Sequence, residues 1–527
     1  MTSWGLVTAP MSRPARGRFA PLIAVLSGAA LLLPACRTRD ASDGQTLTLS
    51  VPYEVGRLDP HAHDRAATFA VVSHVYEALV SADANLVLSP ALARRWENPD
   101  PLTWVFHLRP EARFHSGKPL TAADVVWSIE RLRSRPDLEM ASYVHDVESV
   151  RSLGSGRIEV KTRAPTALLL PKLRFVLVVP EGSDGEGLRL TADGTGPWKL
   201  VEFRPGVSVT LARNDAYWGE KPAFASAVLR LGRSSAQARE DFRDGTSRLS
   251  QCNVLGLEDE AGARPGATVR KRTSLFLKYL GFDLDASRVP GPGEPANPFL
   301  DPRVRKALHL ALDRSALVSR LSFSAVPASQ LVPPSVFGHD PDLPPALPSL
   351  ATARRLLAEA GYGAGLAVTL LTRRFLEEPA RVAAEVLAPA GFRVSVEVVG
   401  DEEFFDRLRG GRAGFYLTRR GCATGDFGQL LESAAHSRDP QRRLGLSQDG
   451  RYSNPELDRE IELSSRTLDM RERREMLLRL QRRLMEELVF VPVYFDEDVY
   501  LLDAGLSWQP RADSYVLAQE IARTDAD

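Results

Sequence analysis

No single hydrophobic core organises a chain of 527 residues, because cores stop growing at roughly 250–300 residues and longer chains divide. Two or three domains are expected, and the local patterns say of what kind. Thr46 to Val51 alternates polar and apolar residues with period two, which predicts a half-buried strand ended by Pro52. From Phe69 the apolar positions Val72, Val75, Tyr76 and Leu79 recur at helical spacing. This predicts a helix starting at Asp64 or Thr68 and ending before Asp83. Trp104, Phe106 and Leu108 alternate as a strand. Thr121 with Asp124 three residues on forms a capping-box pattern ahead of the stripe Val125, Ile129, Leu132. The apolar stretch Leu168–Val179 is interrupted by Lys172 and Arg174 and reads as a buried strand.

Further along, Trp198 to Val201 and Val207 to Leu211 read as strands after a glycine turn. The segment 285–298 is rich in proline and glycine, as is 333–348 in proline; each is a connection between lobes or a surface excursion. Asp301 followed by Pro302 is an N-cap with proline at the first helical position, where the missing amide hydrogen costs nothing. A helix over 351–360 stops at Gly361. Strand 368–371, helix 380–388 and strand 394–398 make one strand–helix–strand unit. Asn454-Pro455 opens a helix, Leu477, Leu480, Leu484 and Leu488 stripe another, and 489–491 and 499–502 read as two terminal strands. Strands and helices are mixed without regular alternation, so the class is α/β with mixed sheets.

The N-terminus carries an address. Arg13, Arg16 and Arg18 precede an uncharged run from Phe19 to Leu33, and Leu33-Pro34-Ala35-Cys36 closes it. This is a lipoprotein-type signal over residues 1–35, with Cys36 as the lipidated first residue of the mature chain. Each buried methylene of the lipid adds about 0.8 kcal/mol of membrane affinity. The protein is therefore expected in the periplasm or at the cell exterior, tethered to a membrane. Lys plus Arg equals Asp plus Glu at 67 each, which removes the electrostatic footprint of nucleic-acid binding. Cys252 and Cys422 are read as free thiols; an exported pair can also bond.

The glycine motifs are turns. A dinucleotide fingerprint opens a helix, whereas Gly194-Thr195-Gly196 runs into the strand Pro197–Val201, and Gly361–Gly365 follows a helix. His61 and His63 with Asp64 offer too few ligands at this spacing for a metal site. No nucleophile elbow or zincin motif occurs, so neither enzyme activity nor cofactor nor metal is expected.

Several blocks, in order, resemble the extracytoplasmic solute-binding proteins of the peptide and nickel type (family 5), the receptors of ABC importers. They are Leu58-Asp59-Pro60, Val75-Tyr76-Glu77-Ala78-Leu79-Val80 and Trp104 to Pro110. They continue with Phe114 to Val125, Gly194 to Trp198, Asn214 to Trp218, Asp301 to Leu308, Ala311 to Arg314 and Tyr452 to Asp458. The resemblance implies a periplasmic-binding-protein-like fold with two lobes and a hinge (class II, three-domain type), and ligand enclosed between the lobes. The implied divisions are lobe 1 over 36–283 with a subdomain inserted at about 80–190, lobe 2 over 284–491, and a return to lobe 1 over 492–527. Its partners would be a peptide or small polar solute and an ABC permease, with the receptor a monomer.

In peptide-binding relatives an aspartate after a glycine in the second lobe meets the peptide's ammonium, and Gly425-Asp426 falls there; the alternative is that Asp426 caps a turn. Tyr53 and Glu54 sit at a strand end that faces the cleft in this family. The chain departs from the pattern at Arg420-Gly421-Cys422, where an aromatic residue is common, and at Gln429-Leu430, where aspartate-proline is expected. Asp283 and Arg248 also stand where asparagine and an acidic residue are usual. These departures weaken a peptide assignment. Arg419 and Arg420 instead suit a carboxylate, whose two oxygens a guanidinium fork pairs. A metal chelate, another non-peptide solute, or a non-transport lipoprotein with the same fold are the remaining readings.

Overall fold

A computed structural model describes residues 45–524, apart from 63–64, 184, 186, 191, 263 and 288–295. The signal segment, Cys36, His63 and Asp64 lie outside the described residues. The strands in the first third are β1 (Thr46–Ser50), β2 (Val80–Ala82), β3 (Leu88–Pro90), β4 (Ala93–Asp100), β5 (Thr103–Leu108), β6 (Val147–Gly154) and β7 (Arg157–Thr162). Next come β8 (Trp198–Arg204), β9 (Ser208–Arg213), β10 (Ser226–Arg230), β11 (Leu249–Gln251) and the long β12 (Thr268–Phe282). The remainder are β13 (Ala325–Pro327), β14 (Leu366–Arg373), β15 (Phe392–Val399), β16 (Phe415–Gly421) and β17 (Phe490–Leu502).

An eleven-stranded mixed sheet runs in the order β15-β14-β16-β12-β17-β11-β1-β10-β9-β8, with β13 paired to β17. Its two longest strands, β12 and β17, are antiparallel partners in the middle, and their register slips between Thr273 and Leu277. Strands β11 and β1 lie on one side of this pair, and β16, β14 and β15 on the other. A separate four-stranded antiparallel sheet, β4-β5-β7-β6, forms elsewhere.

Burial follows the same division. One cluster gathers Leu47, Leu49, Trp198, Leu229 and residues near the C-terminus such as Tyr500 and Val516. A second holds Phe106, Val125, Ile129 and Ile158 between the four-stranded sheet and the helix Ala122–Ser134. A third holds Leu280, Phe282, Leu308, Leu370, Phe415 and Leu480. Local signals explain several helix ends. Thr121 and Asp124 make the capping box, Asp301 accepts from the Arg303 amide ahead of Pro302–Ala311, and Asn454 caps Pro455–Arg466.

Three expectations need correction. The helix drawn through Leu79 spans only Ala66–Val72, behind Arg65 instead of Thr68. Val75, Tyr76 and Leu79 are buried by tertiary contact, since Gly196 and Trp198 donate backbone hydrogen bonds to the carbonyls of Val75 and His74. The run Leu168–Val179 is no strand: Leu169–Leu173 is a short helix and the rest is irregular. Burial on all sides erases the periodicity that separates helix from strand. The two terminal strands are one, β17, whose central residues Asp496, Glu497 and Asp498 are paired despite their charge.

Candidate functional site

Asp426 does not offer a free carboxylate. It caps the turn Phe427–Leu430 by accepting from the Gly428 amide at 2.8 Å, and both oxygens take the Arg473 guanidinium at 2.6 and 2.7 Å. The Arg473 side chain is 0% exposed and also donates to the Ser464 carbonyl. An incoming ammonium would have to displace a buried, bidentate cation, so the ammonium-meeting role is not what this geometry provides. Gly425 is likewise structural: its φ is +72°, and a Cβ there would stand 2.9 Å from Leu86 Cδ1. Leu86 belongs to the turn between β2 and β3 and is buried in the third cluster.

Tyr53 is buried at the end of the segment after β1. Its hydroxyl donates to the Ser514 carbonyl and accepts from the Val516 amide, and burial pushes the phenol well above its ordinary range. It therefore ties down the chain's last segment. Glu54 is exposed. The two arginines of β16 separate: Arg420 is held by Asp449 at 2.7 Å, whereas Arg419 is exposed between the rings of Phe276 (5.2 Å) and Phe375 (5.1 Å). Among the described residues no carboxylate pairs with Arg419.

The residue that sequence reasoning passed over is Arg174. It follows the helix Leu169–Leu173 and its side chain is only 4% exposed. One nitrogen donates to the Ala423 carbonyl at 3.2 Å, on the loop beside Asp426, and to Asp513 at 3.4 Å. Its Nε and Nη1 have no partner. Asp513 is shared, since its two oxygens accept from Arg511 at the shorter distances of 2.8 and 2.9 Å. The Arg174 guanidinium lies over the Phe175 ring at 4.5 Å, and that ring packs against Phe69 and Tyr143, with Tyr515 against Phe69. A buried guanidinium with two unsatisfied donors is costly unless an acceptor arrives. The two charges that break the apolar run at Lys172 and Arg174 were the available signal.

Arg174 reaches a cavity of about 620 Å³ that is also lined by Phe69, Glu77, Arg511 and Tyr515. Burial pushes the Glu77 carboxyl up to about 7, against hydrogen bonds from Trp218 and Tyr217 that favour its charge. The same seam joins distant parts of the chain, through Ala167 to Ser465 and through Lys172, which bridges Asp146 and Glu432.

The other motifs are structural. His61 accepts from Arg131 and meets the Leu177 carbonyl, and burial holds it near 4, so it is a neutral core histidine. Asp59 pairs with Arg131 at 2.8 Å. A Cβ on Gly194 would lie 1.9 Å from the Val75 carbonyl oxygen, so the glycine allows close backbone approach. Asp283 is engaged by Arg451 and Arg248 by Asp503. Cys252 and Cys422 are both buried and are not joined in a disulfide. Among the described residues no three His, Cys, Asp or Glu side chains gather as metal ligands, and no helix is long and apolar enough to cross a membrane.

Comparison with known proteins places this mixed sheet and its charged seam. The family described as bacterial extracellular solute-binding proteins, family 5 Middle, matches residues 87–441, and the chain belongs to this family of binding proteins. It is 26% identical over 502 residues to the nickel-binding periplasmic protein of Escherichia coli, covering 88% of this chain and 92% of that one. It is 25% identical over 524 residues to the periplasmic oligopeptide-binding protein OppA of Salmonella typhimurium, covering 91% and 92%. Among solved structures, the ABC transporter substrate-binding protein CtaP of Listeria monocytogenes superposes with a TM-score of 0.78 at 20% identity, over 91% of this chain and 99% of that one. DppA of Helicobacter pylori, in complex with the peptide STSA, superposes with a TM-score of 0.72 at 21% identity, over 91% and 98%.

Proposed function

We propose that the protein is the lipid-anchored receptor of an ABC importer, tethered through Cys36 outside the cytoplasm, and that it captures a solute bearing a free carboxylate, such as an oligopeptide. The lobes are those of the family: 36–283 with the insertion near 80–190, then 284–491, with 492–527 returning to the first. The observation that carries this reading is Arg174, a buried guanidinium with two free donors between the first lobe and the Ala423 loop of the second. A ligand carboxylate there touches both lobes only when they are closed, so its binding free energy shifts the population towards the closed form. Arg419, flanked by two phenyl rings, supplies a second, more accessible guanidinium on the second lobe. A permease then reads closure.

A nickel or other metal chelate is the second reading, supported by the nickel-binding relative; Arg174 would meet the carboxylate of the chelator. Calorimetry with trialanine, its C-terminal amide and a nickel–histidine complex separates the two. A charge-assisted hydrogen bond contributes roughly 1.5–3 kcal/mol, about ten- to a hundredfold in affinity. The free acid should therefore bind tighter than the amide by that factor, and Arg174→Met should remove the preference. Equal binding of acid and amide sinks the carboxylate reading, and binding of the nickel complex alone selects the chelate.

A further inference from the structure

The turn between β2 and β3 carries a side chain of the first lobe into the core of the second. The Asp83 amide donates to the Val87 carbonyl and the Leu86 amide to the Asp83 carbonyl. This closes a three-residue loop whose last member, Leu86, takes a φ of +68°. Glycine or asparagine is the ordinary choice at such a position, so a leucine there calls for a role of its side chain. Leu86 is 8% exposed and belongs to the third cluster, whose other buried members run from Leu275 to Phe495, apart from Ala512. Beneath it lies Gly425: a Cβ on that glycine would stand 2.9, 3.0 and 3.5 Å from Leu86 Cδ1, Cβ and Cγ, so the leucine lies flat on bare backbone. That socket is fixed by hydrogen bonds from the Phe337 amide to the Gly425 carbonyl and from the Gly425 amide to the Cys422 carbonyl. The turn is held from the first lobe, where the Ala512 amide donates to the Ala84 carbonyl, Arg511 to the Ala82 carbonyl and Arg272 to the Asn85 side chain.

We infer that the β2–β3 turn is a closure latch: Leu86, carried by the first lobe, seats on Gly425 of the second and biases the receptor towards its closed form. Parting the lobes exposes the leucine to water, which replaces none of its contacts. Polar contacts across the same seam, Lys172 with Glu432 and Arg174 with the Ala423 carbonyl, exchange their partners for water at a modest net cost. Burial of one leucine corresponds to about a tenfold bias in a two-state equilibrium. A solute held by both lobes then meets a receptor already inclined to close, and its apparent affinity rises with the closed fraction. Leu86 acts here as a positioning residue. The inference rests on the solute-receptor reading and its division into lobes.

The test reads distances between spin labels placed through Arg94→Cys on β4 and Glu402→Cys in the helix Asp401–Arg409, both exposed positions. It uses the full chain without solute, as the parent, Leu86→Ala, Leu86→Asn and Val87→Ala. Asparagine suits the positive φ and removes only the apolar knob, so this variant keeps the turn folded; Val87 is the 63% exposed neighbour and serves as control. The closed-to-open ratio should fall about tenfold in both Leu86 variants and stay at the parent value in Val87→Ala. Trialanine should leave the Leu86 variants faster, by up to the same factor. An unchanged ratio in both Leu86 variants, with or without a lower melting temperature, overturns the latch and makes Leu86 static packing at the hinge. Since that measurement needs no solute, it leaves the receptor reading standing. Failure of every carboxylate probe to bind overturns the receptor reading, and with it the part of the latch in solute capture, even where the lobes move.

Discussion

Replacing Asp426 by alanine should damage the fold before it touches binding. The carboxylate neutralises Arg473, whose side chain is fully buried, and removing one partner of such a pair leaves an uncompensated charge at a cost of about 3–5 kcal/mol. The lost cap at Phe427–Leu430 adds about 1 kcal/mol. Together these approach the low end of the 5–15 kcal/mol or so that stabilises a typical domain, so Asp426→Ala should shift urea unfolding far down or prevent folding at 37 °C. The double variant Asp426→Ala/Arg473→Met removes the stranded charge and fills its volume, and should regain most of the loss, to within about 1–2 kcal/mol of the parent. Urea titrations of the parent, both single variants and the double close the cycle, with calorimetric binding of trialanine measured on whichever variants fold. The reasoning fails if Asp426→Ala unfolds like the parent yet no longer binds, because the carboxylate would then be serving a ligand instead of Arg473.

Two further outcomes follow from the same geometry. Gly425→Ala combines a left-handed φ, costing about 1–2 kcal/mol, with a Cβ 2.9 Å from Leu86 Cδ1, worth about 1–3 kcal/mol of overpacking. Adding Leu86→Ala should relieve the steric share only, and full recovery in thermal melts would show that the backbone is unstrained. Asp498 titrates near 6 in the fold against an ordinary value of 3.8, so the folded state holds its proton longer and this group's contribution to stability declines as pH rises from about 4 through 6. The groups facing it are Ser514, Asp496, Asn253, Gln251, Tyr53, Lys278 and Tyr500. Relative to the parent, Asp498→Asn should gain up to about 3 kcal/mol between pH 4 and 7.5, and a pH-independent difference in urea unfolding between the two proteins would contradict this.

What the sequence alone determined is what short stretches of chain decide for themselves. The capping box at Thr121 and Asp124, the Asp301-Pro302 and Asn454-Pro455 helix starts and the alternation of β1, β5 and β15 are written in neighbouring residues, and they appear in the structure. The order of family motifs is equally a property of the chain, and it located the fold. Where a pattern depended on distant partners, local reading failed. Val75 and Leu79 keep helical spacing but are buried by the Gly194–Trp198 turn and the second core, and Leu168–Val179 is too uniformly buried to show any period. The site depended on tertiary structure most of all. Whether Asp426 greets a ligand or an arginine was decided by a residue 47 positions away, and Arg174 meets carbonyl and carboxylate partners 249 and 339 positions distant. Such pairings are set by sheet register and by how the two halves of the molecule meet. No window along the chain encodes them, because the electrostatic cost of a buried charge depends on which groups surround it in space.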